Sequence, residues 1–97
     1  MEIQGKIKEI FPKIEGTTER GSYCIQPLLI EVTESYTRPD GSVNTFVNEI
    51  IVELGGENAQ GFNLAVDTMV KLSLRFYVRE YQGKKFQKIT SRYIYVV

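Results

Sequence analysis

The chain has 97 residues, of which 42% are hydrophobic and 25% charged, and its twelve Lys and Arg balance twelve Asp and Glu. This length and composition predict one globular domain spanning residues 1–97, without room for a second core. The absence of histidine excludes imidazole acid–base catalysis and zinc sites built on His, and the single cysteine excludes an internal disulfide.

No apolar run reaches the roughly 20 residues that span a bilayer. The first residues alternate between polar and apolar side chains and do not form the apolar block of a signal peptide. We therefore expect a cytoplasmic protein that does not contact a membrane.

The periodicity of the apolar residues predicts β-strands over nearly the whole chain. Strand 1 is expected at residues 2–11, a polar loop at 12–22, strand 2 at 23–34 and strand 3 at 43–54. Pro39 and Gly41 between strands 2 and 3 have the turn chemistry of a hairpin, because Pro presets φ and Gly accepts a positive φ.

Residues 57–64 are expected to form one or two helical turns, with Asn58 as the cap and Gly61 limiting their length. Strand 4, at residues 70–79, alternates strictly between apolar and polar side chains. A turn at 81–84 then leads into strand 5, expected at 86–97. One face of strand 5 is predicted to hold Ile89, Ser91, Tyr93 and Tyr95, and the other face Phe86, Lys88, Thr90 and Arg92.

Five strands with one short helix between the third and the fourth have the element order of the OB-fold, a five-stranded Greek-key barrel. A β-sandwich usually needs about seven strands, and an SH3-like barrel has its helical turn between the last two strands. The sequence therefore predicts an all-β OB-fold.

The polar face of strand 4 interleaves cations with tyrosine rings. Lys and Arg neutralise phosphates, and an exposed ring is a surface on which an unstacked base can lie. Because a duplex hides the faces of its bases, this mixture favours a single strand. Strand 5 and the turn before it add further cations and a phenylalanine. The predicted nucleic-acid-binding residues are Lys71, Arg75, Tyr77, Arg79, Tyr81, Lys84, Lys85, Phe86, Lys88 and Arg92.

The charges are distributed unevenly along the chain. Residues 1–67 hold five Lys and Arg against eleven Asp and Glu, whereas residues 68–97 hold seven against one. Such asymmetry indicates a surface that faces an anion on the basic segment. A second interpretation, in which the two segments neutralise each other across a sheet, stays open at this point.

The acidic residues do not suggest a catalytic or metal site. Glu31, Glu34, Asp40, Glu49, Glu53 and Glu57 are scattered over predicted strand exteriors and turns, without the spacing of a glycosidase pair or a magnesium site. They would repel a polyanion, so the binding face is expected to exclude strands 2 and 3 at least in part. Cys24 has no histidine to deprotonate it and is expected to be a small buried side chain. We expect no enzymatic activity, no cofactor, no metal and no small-molecule substrate.

The C-terminal half resembles an uncharacterised bacterial family of short OB-fold proteins, grouped with single-stranded-DNA-binding-like domains. The resemblance lies in Val66-Asp67 before strand 4 and in the turn segment VREYQGKKF at residues 78–86, which is similar to a Ser-Arg-Glu-Tyr-Asn-Gly-Arg-Trp-like turn. The opening MEIQGKIKEI is similar to the first strand of that family. Phe86 stands where the family usually has Trp. The resemblance implies an OB-fold and a nucleic-acid-binding role.

Two functions are therefore considered. The first is a non-catalytic protein that binds single-stranded nucleic acid, DNA before RNA, with little sequence preference. The alternative is a protein-interaction module that docks a partner chain through strands 4 and 5, which the opposite charges of the two segments would suit.

A homodimer is also expected, because open strand edges favour symmetric pairing and strand 1, near Ile10 and Phe11, offers such an edge.

Overall fold

The computed structural model describes residues 1–97 and contains six β-strands and one short helix. In chain order these are β1 (Glu2–Ile10), β2 (Ile14–Thr18), β3 (Gly21–Thr37), β4 (Val43–Gly55), α1 (Glu57–Gln60), β5 (Met69–Tyr81) and β6 (Lys84–Val96). The strands pair in the order β1-β5-β6-β4-β3-β2, and β1 also pairs with β3. Five strands thus form a closed ring, with β2 outside it. This is the predicted OB-fold. No helix has the length and apolar character needed to cross a membrane.

The buried core comes from alternate positions of the ring strands, as the period of two predicts. It consists of Ile7, Leu28, Ile30, Val52, Val70, Leu72 and Leu74. Cys24 is also buried, as expected. Further along β5, Phe76 and Val78 continue the inward face but are 51% and 57% exposed. The core therefore ends near Leu74, and the rest of the β5–β6 hairpin extends beyond it.

Strand β1 closes the ring because it pairs with two strands in succession. Residues 2–6 pair with β5 and residues 6–10 with β3, with a register shift between Ile7 and Glu9. Gly5 is buried where the two pairings meet. A Cβ atom at this position would lie 2.6 Å from Ile30 Cγ2 and 2.7 Å from the backbone oxygen of Glu31. The close approach of the two backbones therefore requires glycine.

The structure differs from the sequence-based expectation before β3 and at the helix. Residues 14–18 do not lie in a loop but form β2, which pairs with the first residues of β3. Because β2 lies outside the ring, it has no buried face and no apolar alternation to reveal it. Helix α1 has only four residues, and Gly56, not Asn58, is its N-cap. The side-chain amide of Asn58 instead donates a hydrogen bond to the backbone oxygen of Arg92.

A two-residue turn sets the register of the β5–β6 hairpin. Gln82 and Gly83 have φ angles of 51° and 78°, and Tyr81 pairs with Lys84 on either side of them. Positive φ at both central positions characterises the type I′ turn, whose twist matches that of the flanking strands. The turn therefore determines which side chains of β5 and β6 lie opposite each other.

We expect Gly5→Ala to lower the free energy of unfolding by about 1–3 kcal/mol, because the added methyl group overlaps the buried Ile30 side chain and the backbone oxygen of Glu31. Gly55→Ala is the matched control, since it makes the same change in a strand where a Cβ atom meets nothing within 4 Å. Urea unfolding followed by circular dichroism measures both variants. Equal stabilities would contradict the close approach at Gly5.

Candidate nucleic-acid interface

The outward face of the β5–β6 hairpin carries cations and rings side by side. On β5 these residues occupy the odd positions, because Val70, Leu72 and Leu74 point into the core. The register places a ring opposite a cation in three successive pairs. The pairs are Tyr77 with Lys88, Arg79 with Phe86, and Tyr81 with Lys84. Directly opposite residues have Cβ atoms about 4.5–5.5 Å apart, so these six side chains form one surface, the hairpin face.

The rings of the hairpin face are accessible. Tyr77, Phe86 and Tyr81 are all exposed to solvent, and Phe86 does not pack into the interior. The guanidinium carbon of Arg79 lies 6.0 Å from the centroid of the Tyr77 ring, at the limit of a cation–π contact. The hairpin face therefore offers flat apolar surfaces flanked by positive charge.

The remaining predicted binding residues lie in different places. Arg75 continues the hairpin face towards the ring, opposite Thr90, whereas Lys85 is on the reverse face, opposite Glu80. Lys71 lies at the far end of β5, where its Nζ is 2.8 Å from Glu2 Oε1. The hydrogen bond to Glu2 and the negative charge of that carboxylate raise the pKa of Lys71.

Two tyrosines on the outward face were not predicted there. Leu72 pairs with Ile94 but Leu74 with Ser91, so β6 has one extra residue at this point. This β-bulge reverses the orientation of the following side chains. Tyr93 and Tyr95 are consequently exposed beside β5, with their ring centroids 6.3 Å apart. Their predicted grouping with Ile89 and Ser91 was wrong. The sequence does contain a signal for the bulge. Ile89 and Ile94 both pack against the core, although an odd-numbered and an even-numbered residue of a regular strand point to opposite faces.

An open groove of about 730 Å³ adjoins the hairpin face and is bounded by β4, α1, β5 and β6. Its charged and aromatic lining consists of Glu53, Glu57, Arg75, Tyr77, Arg92 and Tyr93. Arg92 thus lies in the groove beside the hairpin face. Tyr77 belongs to both the groove and the hairpin face, so the two form one continuous surface.

Ion pairs connect the acidic and basic segments at only a few points. Lys88 Nζ lies 3.0 Å from Glu53 Oε1, and Lys71 is paired with Glu2. The other five cations of the basic segment have no carboxylate oxygen within 4 Å; they are Arg75, Arg79, Lys84, Lys85 and Arg92. Mutual neutralisation of the segments therefore applies to two of the seven cations. Glu53 on β4, predicted as strand 3, also lines the groove beside the hairpin face.

The sequence matches no family model and no curated protein. Solved structures, in contrast, are similar along the whole chain. The single-stranded DNA binding protein from Thermus aquaticus gives a TM-score of 0.77 at 16% identity, covering 99% of this chain and 48% of that chain. This chain therefore spans about half the length of the Thermus protein.

Two other solved structures are similar over nearly their full length. The N-terminal domain of PriB from Thermoanaerobacter tencongensis, described as dimeric, gives a TM-score of 0.55 at 22% identity, covering 100% of this chain and 93% of that chain. The Plasmodium falciparum SSB in complex with ssDNA gives 0.63 at 11% identity, covering 100% and 92%. At these identities the similarity shows a shared fold, the OB-fold.

Proposed function

We propose that this protein binds single-stranded DNA, without catalysing a reaction, through the hairpin face and the adjoining groove. The observation that carries the proposal is the pairing of a ring with a cation at three successive positions of the β5–β6 hairpin. The similar structures from Thermus and Plasmodium are single-stranded-DNA-binding proteins, which supports the same role for this chain.

The chemistry of the hairpin face suits a single strand better than a duplex. Tyr77, Tyr81 and Phe86 present exposed rings, and every base has a π-face that can stack on a ring. In a duplex these faces are covered by neighbouring bases, so the rings would have no surface to contact. Stacking accepts all bases, which gives the hairpin face little sequence preference.

Arg75, Arg79, Lys84 and Arg92 supply positive charge that no carboxylate of the chain neutralises within 4 Å. Phosphates that contact these side chains release condensed counterions, which makes the affinity fall as salt rises. A largely apolar protein interface would not have this dependence. Salt dependence therefore separates DNA binding from the alternative of a protein-docking module.

We also propose that the chain belongs with the short bacterial OB-fold proteins that its turn segment resembles, and that it acts in the cytoplasm. The type I′ turn at Gln82-Gly83 supports the assignment, because the family-like motif has Asn-Gly there and Asn-Gly is a preferred pair for this turn.

A homodimer is proposed as the assembly. Only 13 of 97 residues are buried, while many large apolar side chains are exposed, and such surface favours association. Residues 2–5 of β1 pair only with β5, and residues 9 and 10 only with β3, so β1 retains backbone that a second copy can pair with. The dimeric PriB domain has the same fold.

Tyr77→Ala and Phe86→Ala are each expected to weaken binding of oligo-dT about tenfold, since stacking contributes about 1–3 kcal/mol per base. The loss should persist at higher salt because stacking releases no counterions. Phe76→Ala is the matched control, as its ring is exposed on the opposite face of the same strand. Fluorescence anisotropy measures the affinities, and melting curves verify folding. Folded Tyr77→Ala and Phe86→Ala proteins with unchanged affinity would exclude a stacking face.

Lys84 and Lys85 are adjacent in sequence but lie on opposite faces of the hairpin. We expect Lys84→Ala to weaken binding modestly and to flatten the plot of log affinity against log salt by up to about one unit, the loss of one phosphate contact. Lys85→Ala should change this slope less. Titrations between low and moderate salt measure both slopes. A larger effect of Lys85→Ala would place the DNA on the reverse face.

Light scattering at micromolar concentration tests the assembly. A homodimer has twice the 11.1 kDa mass of one chain, and a mass that remains at the monomer value as the concentration rises would refute it. Replacing Ile10 with Lys on β1 should shift the mass towards the monomer, because a charge beside an unpaired strand disfavours pairing with a second strand. Since the Ile10 side chain also packs against the core, melting curves must show that the variant is folded.

A further inference from the structure

The groove beside the hairpin face has two unlike walls. Arg75, Tyr77 and Arg92 on β5 and β6 supply cations and a ring, whereas Glu53 on β4 and Glu57 on α1 supply carboxylates. A phosphate is attracted by the first wall and repelled by the second. A strand bound there therefore has its backbone towards β5 and β6, and the edges of its bases towards β4.

Glu53 is held in a fixed position on the β4 wall. Its side chain is only 22% exposed, and Lys88 Nζ lies 3.0 Å from its Oε1 atom. Its strand neighbours are Thr90 on β6 and Pro27 on β3. The second carboxylate oxygen, Oε2, receives no hydrogen bond from the chain. The ion pair offsets the charge of Glu53, which lines the groove. It leaves Oε2 free to accept a hydrogen bond, and Oε1, which has two lone pairs, can accept a second one beside that from Lys88.

An ionised carboxylate accepts hydrogen bonds and donates none, so it distinguishes bases by the donors on their Watson–Crick edges. Guanine has two adjacent donors, N1–H and the N2 amino group, and can bind both oxygens of a carboxylate. Adenine and cytosine have one amino group beside an acceptor nitrogen. Thymine has a single N3–H between two carbonyl oxygens, which repel a carboxylate. Guanine is therefore the best partner, as bidentate pairs are the strongest.

We propose that Glu53 is a specificity-determining residue that selects guanine at one position of the bound strand, an inference that rests on the proposed binding of single-stranded DNA. The base stacks on Tyr77 or Tyr93 and directs N1–H and the N2 amino group towards Glu53. The remaining positions, on the hairpin face, accept any base. The protein would thus select the base at one position of the bound strand and accept any base at the others.

The test compares oligonucleotides of about 15 nucleotides, near the upper site size of one OB-fold. One is oligo-dT, and the others carry a single central deoxyguanosine, deoxyinosine, deoxycytidine or deoxyadenosine. We expect the guanine to raise the affinity of the unmodified protein about five- to tenfold, within the range measured for bidentate base contacts. Deoxyinosine lacks the N2 amino group and should recover only part of this gain.

Variants of the protein test whether Glu53 causes the preference for guanine. In Glu53→Gln most of the gain from guanine should be lost, because an amide replaces one of the two acceptor oxygens with a donor. Oligo-dT should bind at least as tightly because one negative charge is removed. Glu53→Asp keeps the charge but withdraws the carboxylate by one methylene, and should lose most of the preference. Glu49→Gln is the matched control, since Glu49 occupies the same face of β4 but does not line the groove, and it should retain the preference.

Equal binding of oligo-dT and the guanine oligonucleotide by the unmodified protein would overturn the inference and leave the proposed function standing. A guanine preference that survives undiminished in a folded Glu53→Gln protein would also overturn it. If no oligonucleotide binds at all, the proposed function fails, and the inference fails with it.

Discussion

The fold depends on the close approach of three strands at Gly5. There β1 leaves β5 and joins β3, and a side chain at this position would overlap Ile30 and the backbone of Glu31. This contact closes the ring and brings Ile7 against the core residues of β3 and β5. Once the ring is closed, Val70, Leu72 and Leu74 must point inwards. The residues between them, and the tyrosines and cations further along, are then directed outwards.

The β5–β6 hairpin, which carries the candidate interface, is stabilised differently from the ring. Beyond Leu74 neither face of β5 is buried, since Phe76 and Val78 continue the inward face but remain exposed to solvent. The hairpin is held by its backbone ladder, its type I′ turn and its cross-strand side-chain pairs. Such pairs contribute about 0.2–1 kcal/mol each, so the rings and cations that would contact DNA also contribute to the structure of the free protein. Melting curves are therefore informative for every substitution on this surface.

Much of the fold could be predicted from the sequence because apolar alternation is a local signal. The five strands of the ring, the short helix between β4 and β5, and the outward face of β5 were predicted correctly. The strand β2 was missed because it has no buried face, and Tyr93 and Tyr95 were misplaced because a bulge changes the parity of β6. The ion pairs of Glu2 and Glu53 join residues far apart in sequence. They depend on pairing between strands, which local patterns do not specify.

The uneven distribution of charge along the chain can be interpreted only in the folded molecule, where the acidic and basic segments meet. The acidic segment does not merely balance the basic one, since two of its carboxylates, Glu53 and Glu57, line the same groove as Arg75 and Arg92. Cations alone would bind any phosphate backbone, whereas discrimination between bases requires groups that contact base edges. A carboxylate in such a groove weakens the general attraction for a polyanion. That loss is offset where the carboxylate meets a base with suitable donors, so the same residue that reduces affinity for most sequences can increase it for one.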